Sequence, residues 1–146
     1  MNELRKDTDK LLEEVRQLDK FNFIFKRLFY RFPFAMALVR VDGNIEKANV
    51  YLCRILGKSE DEVTKMHFSE FTHPDDVAKD QELLNKMNRG EIDQYDIKKR
   101  YYSWVTNDYF EAHLFVFMVS PGEFLFGVFR ELPNISNELK DLFNYE

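Results

Sequence analysis

The segment from Tyr109 to Val119 constrains the fold of this chain more than any other. Alternation sends His113, Phe115 and Phe117 to one face of a strand and Leu114, Val116 and Met118 to the other. Both faces are apolar. A single open antiparallel sheet usually keeps one face wet, so a sheet holding this strand needs a cover on each side. The first 31 residues offer one, since they contain no glycine or proline and read as one long helix. Leu4, Leu11, Leu18 and Phe25 fall at heptad position d, and Met1, Thr8, Val15, Asn22 and Phe29 at position a. Toward the C-terminal end Phe21, Phe25, Leu28 and Phe29 widen the stripe beyond a two-stranded seam. That half is expected to pack on the globular body, of its own chain or of a partner.

The heptads predict a homodimer. Asn22, at position a, is a candidate for fixing its register, the alternative being an exposed polar residue. Against a parallel two-stranded coil, Glu14 at g would face Asp19 at e of the partner and repel it, so the geometry stays open. Phe32-Pro33 ends the helix, because the residue before a proline is pushed out of the helical region.

A length of 146 residues allows one domain, burying roughly 68–70% of its unfolded surface. With 45% hydrophobic and 32% charged residues the chain is expected to be globular. A net charge of -5 argues against nucleic-acid binding, which needs a basic surface, and Lys98-Lys99-Arg100 reads as a solvated face of a strand. The lone Cys53 excludes an internal disulfide framework. With no apolar stretch near the roughly 20 residues of a membrane span and no signal-peptide core, a cytoplasmic protein is expected.

After the helix, Phe34 to Val41, the turn Asp42-Gly43-Asn44 and Ile45 to Ala48 read as a hairpin. Asn49 is placed to cap a helix from Val50 to Leu56 that Gly57 stops. Ser59 and Glu62 form a capping-box pattern. His73-Pro74-Asp75-Asp76 then starts a helix whose far end carries Lys86 and Arg89 before Gly90. Tyr95 to Trp104, Tyr109 to Val119 and Phe124 to Leu132 read as three antiparallel strands, joined at Thr106-Asn107-Asp108 and Ser120-Pro121-Gly122. Ile135, Leu139, Leu142 and Phe143 give the tail, residues 133–146, a helical spacing.

The stretch Met36-Ala37-Leu38-Val39-Arg40-Val41-Asp42-Gly43-Asn44-Ile45-Glu46-Lys47-Ala48-Asn49 resembles a PAS (Per-Arnt-Sim) domain. So do Leu52-Cys53-Arg54-Ile55-Leu56-Gly57, Ser59-Glu60-Asp61-Glu62-Val63, Phe71-Thr72-His73-Pro74-Asp75-Asp76 and Lys99-Arg100-Tyr101, in that order and spacing. The resemblance covers residues 32–132. It implies an α+β fold: a five-stranded antiparallel sheet of order 2-1-5-4-3 with short helices on one face and an N-terminal helix over the other. It also implies a pocket, which in some members holds haem, flavin or a small metabolite, and a sensory or interaction role in signalling.

Two departures stand out. The Asp-Ile-Thr that often closes the last strand is Glu131-Leu132-Pro133 here, and Asn107-Asp108 replaces the usual Asp-Gly turn between the third and fourth strands, with Trp104 before it. No kinase, cyclase or DNA-binding segment follows, so output is expected to act on a separate partner protein.

On this architecture the pocket is expected among Leu52, Ile55, Phe68, Phe71 and Leu84 from the helical side, with Lys99, Tyr101, His113, Phe115 and Phe117 from the strands. The dimer interface is expected along Leu4, Leu11, Val15, Leu18, Asn22, Phe25 and Phe29, continued on the sheet by Leu114, Val116 and Met118. Lys99 shares parity with Ile97 and Tyr101; it either grips an anionic ligand or packs its stem on the sheet, with its amine at the rim or paired with Glu111. Cys53 does not match the flavin-reactive cysteine of light-sensing relatives, which would lie near Met66-His67-Phe68, and reads as a small buried thiol. Residues 75–89 lack the axial histidine of haem-binding relatives; His113 alone is kept as a ligand contact, and a hydrogen-bonded core or interface histidine is the other reading of it. No tightly bound cofactor is expected. Neither a phosphate loop, a nucleophile beside a base, nor a metal cluster is present, so no enzyme activity is expected. A small apolar ligand is the alternative to a purely interactive module; fifteen phenylalanines favour a filled or strictly apolar pocket.

Overall fold

The computed structural model describes residues 2–131, the last by its backbone only; the Leu132-Pro133 end of the final strand and the expected amphipathic tail lie outside the described residues. The chain divides into two compact units after Phe32.

The first unit is helix α1, Asn2–Arg31. Its last backbone bond runs from the Phe32 N–H to the Leu28 carbonyl at 2.9 Å, and Pro33 follows with no N–H to extend it. Leu4, Leu11, Val15 and Leu18 are 71, 62, 52 and 68% exposed. Asn22 is also exposed. Phe25 stacks on Phe29 with ring centroids 5.6 Å apart. Exposed apolar residues extend beyond the heptad seam to Leu12, Phe21, Phe23, Ile24 and Leu28. Among the described residues no helix is long and apolar enough to cross a membrane.

The second unit is built on strands β1 (Met36–Arg40), β2 (Ile45–Ala48), β3 (Gln94–Ser103), β4 (Asp108–Ser120) and β5 (Phe124–Glu131). They form one sheet of order β2-β1-β5-β4-β3, every pair antiparallel. Between β2 and β3 the chain forms α2 (Val50–Leu56), α3 (Glu60–Val63), a 3-10 turn (Phe68–Phe71) and α4 (Pro74–Asn88). The order and the α+β class agree with the sequence expectation.

Local chemistry sets these boundaries. At the β1–β2 turn, Gly43 has φ +94°, and a Cβ there would lie 2.8 Å from Cδ1 of Phe68. Only glycine meets both conditions at once. Ser59 and Glu62 close a reciprocal capping box, the Glu62 N–H donating to Ser59 Oγ and the Ser59 N–H to Glu62 Oε1. His73 caps α4 by accepting the Asp75 N–H at Nδ1. Proline at the first position and Asp75 and Asp76 in the first turn suit the positive end of the helix dipole.

Asn49 does more than start α2. Its Oδ1 accepts the Leu52 N–H and the Met36 N–H, both at 3.0 Å, while its Nδ2 donates to the Phe34 carbonyl. The residue is wholly buried, so each group would otherwise lack a partner. One side chain thus ties the helix start to the entry of β1. Asn49→Ala is expected to destabilise the protein by about 2–4 kcal/mol, a lost cap plus backbone groups left unpaired, as measured by urea unfolding.

The expectation for β4 needs correcting. Leu114 lies opposite Ile97 and Phe129, and Val116 opposite Gly127, so they face inward with Tyr101 and Phe110, against the helices. His113, Phe115 and Phe117 take the other face. There Asp96 lies 3.0 Å from Arg130 and 3.1 Å from His113 Nε2, and Phe115, Phe117 and Phe126 form a row of rings with centroids 5.7 and 5.4 Å apart. Alternation establishes which residues share a face; with both sets apolar it does not establish which set points inward. The register supplies the answer, because Ser103 opposite Asp108 matches odd-numbered residues of β3 with even-numbered residues of β4.

Candidate ligand cavity

A cavity of about 60 Å³ lies between the inner sheet face and the helices. From the helical side Leu52, Phe68, Phe71, Asp80 and Leu84 line it; from β1 and β2, Met36, Ala37, Val39 and Ile45; from β3, Tyr95, Lys99 and Tyr101; and from β4 and β5, Leu114, Val116, Leu125, Gly127 and Phe129. The structure therefore brings together Leu52, Phe68, Phe71, Leu84, Lys99 and Tyr101 of the expected set. It places His113, Phe115 and Phe117 on the opposite face, and Ile55, wholly buried, outside the cavity lining. Leu114 and Val116, expected at a dimer interface, instead line the cavity. Met118 is partly buried and packs against the core.

The wall is apolar except at one end. There the Lys99 ammonium meets the Asp80 carboxylate at Oδ2, with side-chain exposures of 2 and 5%. Lys99 Nζ also donates to Thr72 Oγ1 at 3.1 Å, and Thr72 Oγ1 donates to the Phe68 carbonyl at 2.8 Å. The Tyr95 hydroxyl donates to Asp80 Oδ1 at 2.8 Å. The ammonium lies 4.6 and 5.1 Å from the ring centroids of Tyr101 and Phe68, within cation–π range. Among the described residues no buried side-chain polar atom lacks a partner.

Burial pulls the Lys99 ammonium below the usual lysine range, and the Asp80 carboxylate opposes it. Burial, with Asp80 beside it, pushes the Tyr95 and Tyr101 phenols up, so both stay protonated and Tyr95 remains a donor. One step along β3, on the other side of the strand, the Arg100 guanidinium binds Asp76 through Nε and NH2, both at 3.0 Å. The Arg100 hydrogen bond leads in holding the Asp76 carboxyl below its usual range. Its contribution to stability is present above about pH 4, the ordinary carboxylate value, and is lost as the pH falls through the lowered folded value.

Asp80 and Tyr95 line the cavity and lie outside the set expected from the sequence. The signal for Asp80 was present, since Val77, Asp80, Leu84 and Met87 follow one another at helical spacing and an acid stands in an apolar stripe. Glu111 does not meet Lys99, which lies opposite Ala112; Glu111 lies opposite Arg100.

Haem and flavin do not fit this site. None of His67, His73 and His113 lines it, and its volume is well under the roughly 150 Å³ that accommodates a benzene ring. Cys53 does not line it either. Burial, then the charge of Glu60, raises the Cys53 thiol to about 11. Among the described residues no group of three histidine, cysteine or acidic side chains is arranged to hold a metal ion.

Two predictions follow from this geometry. Asp80→Asn strands a buried ammonium and is expected to lower stability by about 3–5 kcal/mol, whereas Lys99→Met with Asp80→Leu, measured by the same urea titration, costs less than the single change. Cys53 is expected to react with iodoacetamide at pH 8 roughly two orders of magnitude more slowly than a free cysteine, followed by intact mass.

No family model matches the chain. A stretch of 68 residues is 40% identical to the probable diguanylate cyclase DgcE of Escherichia coli K12, taking in 47% of this chain and 6% of that protein's length. Among solved structures, the PAS domain of an HTR-like protein from Haloarcula marismortui is similar at TM-score 0.67 with 19% identity, over 82% of this chain and 98% of that one. A PAS domain in complex with ethanol, from a LuxR-family transcriptional regulator of Burkholderia thailandensis, is similar at TM-score 0.60 with 17% identity, over 76% of this chain and 98% of that one. Strand order, helix order and these likenesses agree: the chain has the PAS fold.

Proposed function

We propose that this chain is a sensory module of a signalling protein, that it pairs with a second copy through its N-terminal helix, and that it hands its state to a partner protein. The observation that carries the pairing is the exposed stripe of Leu4, Leu11, Val15 and Leu18, spaced by heptads on a 30-residue helix. A stripe of this length exposed to water is a surface for association. The partial identity to a diguanylate cyclase supports a signalling setting without assigning that chemistry to this chain.

A second reading, that the module senses a small molecule, is supported by the cavity. An apolar wall with a few convergent polar groups is the usual form of a ligand site. The ethanol complex of the Burkholderia thailandensis domain adds to this reading. A volume of about 60 Å³ limits the ligand to a few non-hydrogen atoms unless side chains move.

Sedimentation equilibrium of the chain beside its Val15→Glu variant tests the pairing. The proposal expects twice the monomer mass for the parent and monomer mass for the variant at the same concentration. A monomeric parent, or a variant that dimerises equally well, overturns it.

A further inference from the structure

Asp80 and Lys99 together carry no net charge, and both sit in the cavity wall. Each Asp80 oxygen accepts one hydrogen bond, Oδ1 from Tyr95 and Oδ2 from Lys99, and two of the three Lys99 donors go to Asp80 and Thr72. The third N–H of the ammonium has no hydrogen-bond acceptor among the described residues and lies among the rings of Tyr101 and Phe68. The cavity thus presents an apolar wall, a single spare donor, and a carboxylate beside it.

From this arrangement we infer that the Lys99–Asp80 pair sets the selectivity of the cavity, admitting small uncharged molecules with one hydrogen-bond acceptor and turning away carboxylates. The inference rests on the small-molecule reading above. A ketone or alcohol oxygen can accept the spare N–H without disturbing the pair. A carboxylate of the same size brings a second negative charge next to Asp80, in a place where water does not screen it. A lone buried lysine would do the reverse and favour anions. Asp80 therefore converts what alone would be an anion site into one for neutral molecules. A pair that served only to join α4 to β3 would leave whatever preference the apolar wall itself imposes, and removing the Asp80 charge would not change it.

Acetone and acetate are matched in size and shape and differ in charge at neutral pH. NMR titrations of the full chain with each, followed on the methyl groups of Leu84, Leu114 and Val116, test the inference. The parent is expected to bind acetone at least tenfold more tightly than acetate. In Asp80→Asn, which keeps the side-chain shape, the ratio is expected to move at least tenfold toward acetate. Adding Lys99→Met is expected to remove that gain. A parent that binds acetate as well as acetone overturns the selectivity while leaving the sensor reading intact. A parent that binds neither overturns the sensor reading and the selectivity with it. A folded Asp80→Asn protein with an unchanged ratio assigns the preference to the rest of the wall and overturns the role of the pair. If Asp80→Asn does not fold, Asp80→Leu with Lys99→Met, which removes both charges, reads the role of the pair instead, and an acetone-to-acetate ratio equal to the parent's overturns it.

Discussion

A lysine ammonium and an aspartate carboxylate, both almost fully buried, meet at the junction of α4 and β3. Removing such charges from water is expensive, and their attraction offsets the loss only when the remaining donors and acceptors are also met. Here Tyr95 supplies a donor to Asp80 and Thr72 an acceptor to Lys99, which requires β3, α4 and the turn at Thr72 to lie at one distance and one rotation from each other. The isolated bridge between Thr72 and Tyr101 and the His73 N–H donated to the Arg100 carbonyl hold that spacing through the backbone. Asp76 with Arg100 repeats the helix-to-strand link one turn earlier on α4, nearer to solvent.

Around this junction the helical side is placed by side chains that cap and tie at once. Asn49 joins α2 to β1, and Ser103 Oγ donates to the Ile55 carbonyl at the far end of the same helix. His67 Nε2 lies 2.8 Å from the Asp42 carbonyl, joining the 3-10 turn to the first hairpin. The cavity is what remains between elements fixed in this way. Phe68 and Phe71 from the turn, Leu84 from α4 and Leu114 and Val116 from β4 close on it without filling it.

Much of this was legible in the sequence, because it is local. The capping box of Ser59 and Glu62, the Asp-Gly turn, the proline start of α4 and the heptads of α1 depend on residues a few positions apart. What was not legible depends on partners far along the chain. The two faces of β4 were separated correctly and assigned the wrong way round, since Phe115 and Phe117 look as suited to a core as Leu114 and Val116. Counting back from the four-residue turn Trp104-Val105-Thr106-Asn107, which sets Ser103 against Asp108, would have set Ile97 against Leu114. Lys99 was noticed by its parity with Ile97 and Tyr101, but its partner, 19 residues earlier on α4, was not singled out. An acid between Val77 and Leu84 on an apolar stripe was the mark that a buried cation lay opposite.

The position of the Lys99 ammonium assigns the inner face of the sheet, the polar end of the cavity and the neutral pair together. NMR of the protein labelled with nitrogen-15 in its lysine side chains observes it directly. The account predicts Lys99 Nζ protons that exchange slowly with water and show nuclear Overhauser effects to the rings of Phe68 and Tyr101. A Lys99 side chain whose Nζ protons exchange as fast as those of the exposed lysines, with no contact to either ring, would contradict it.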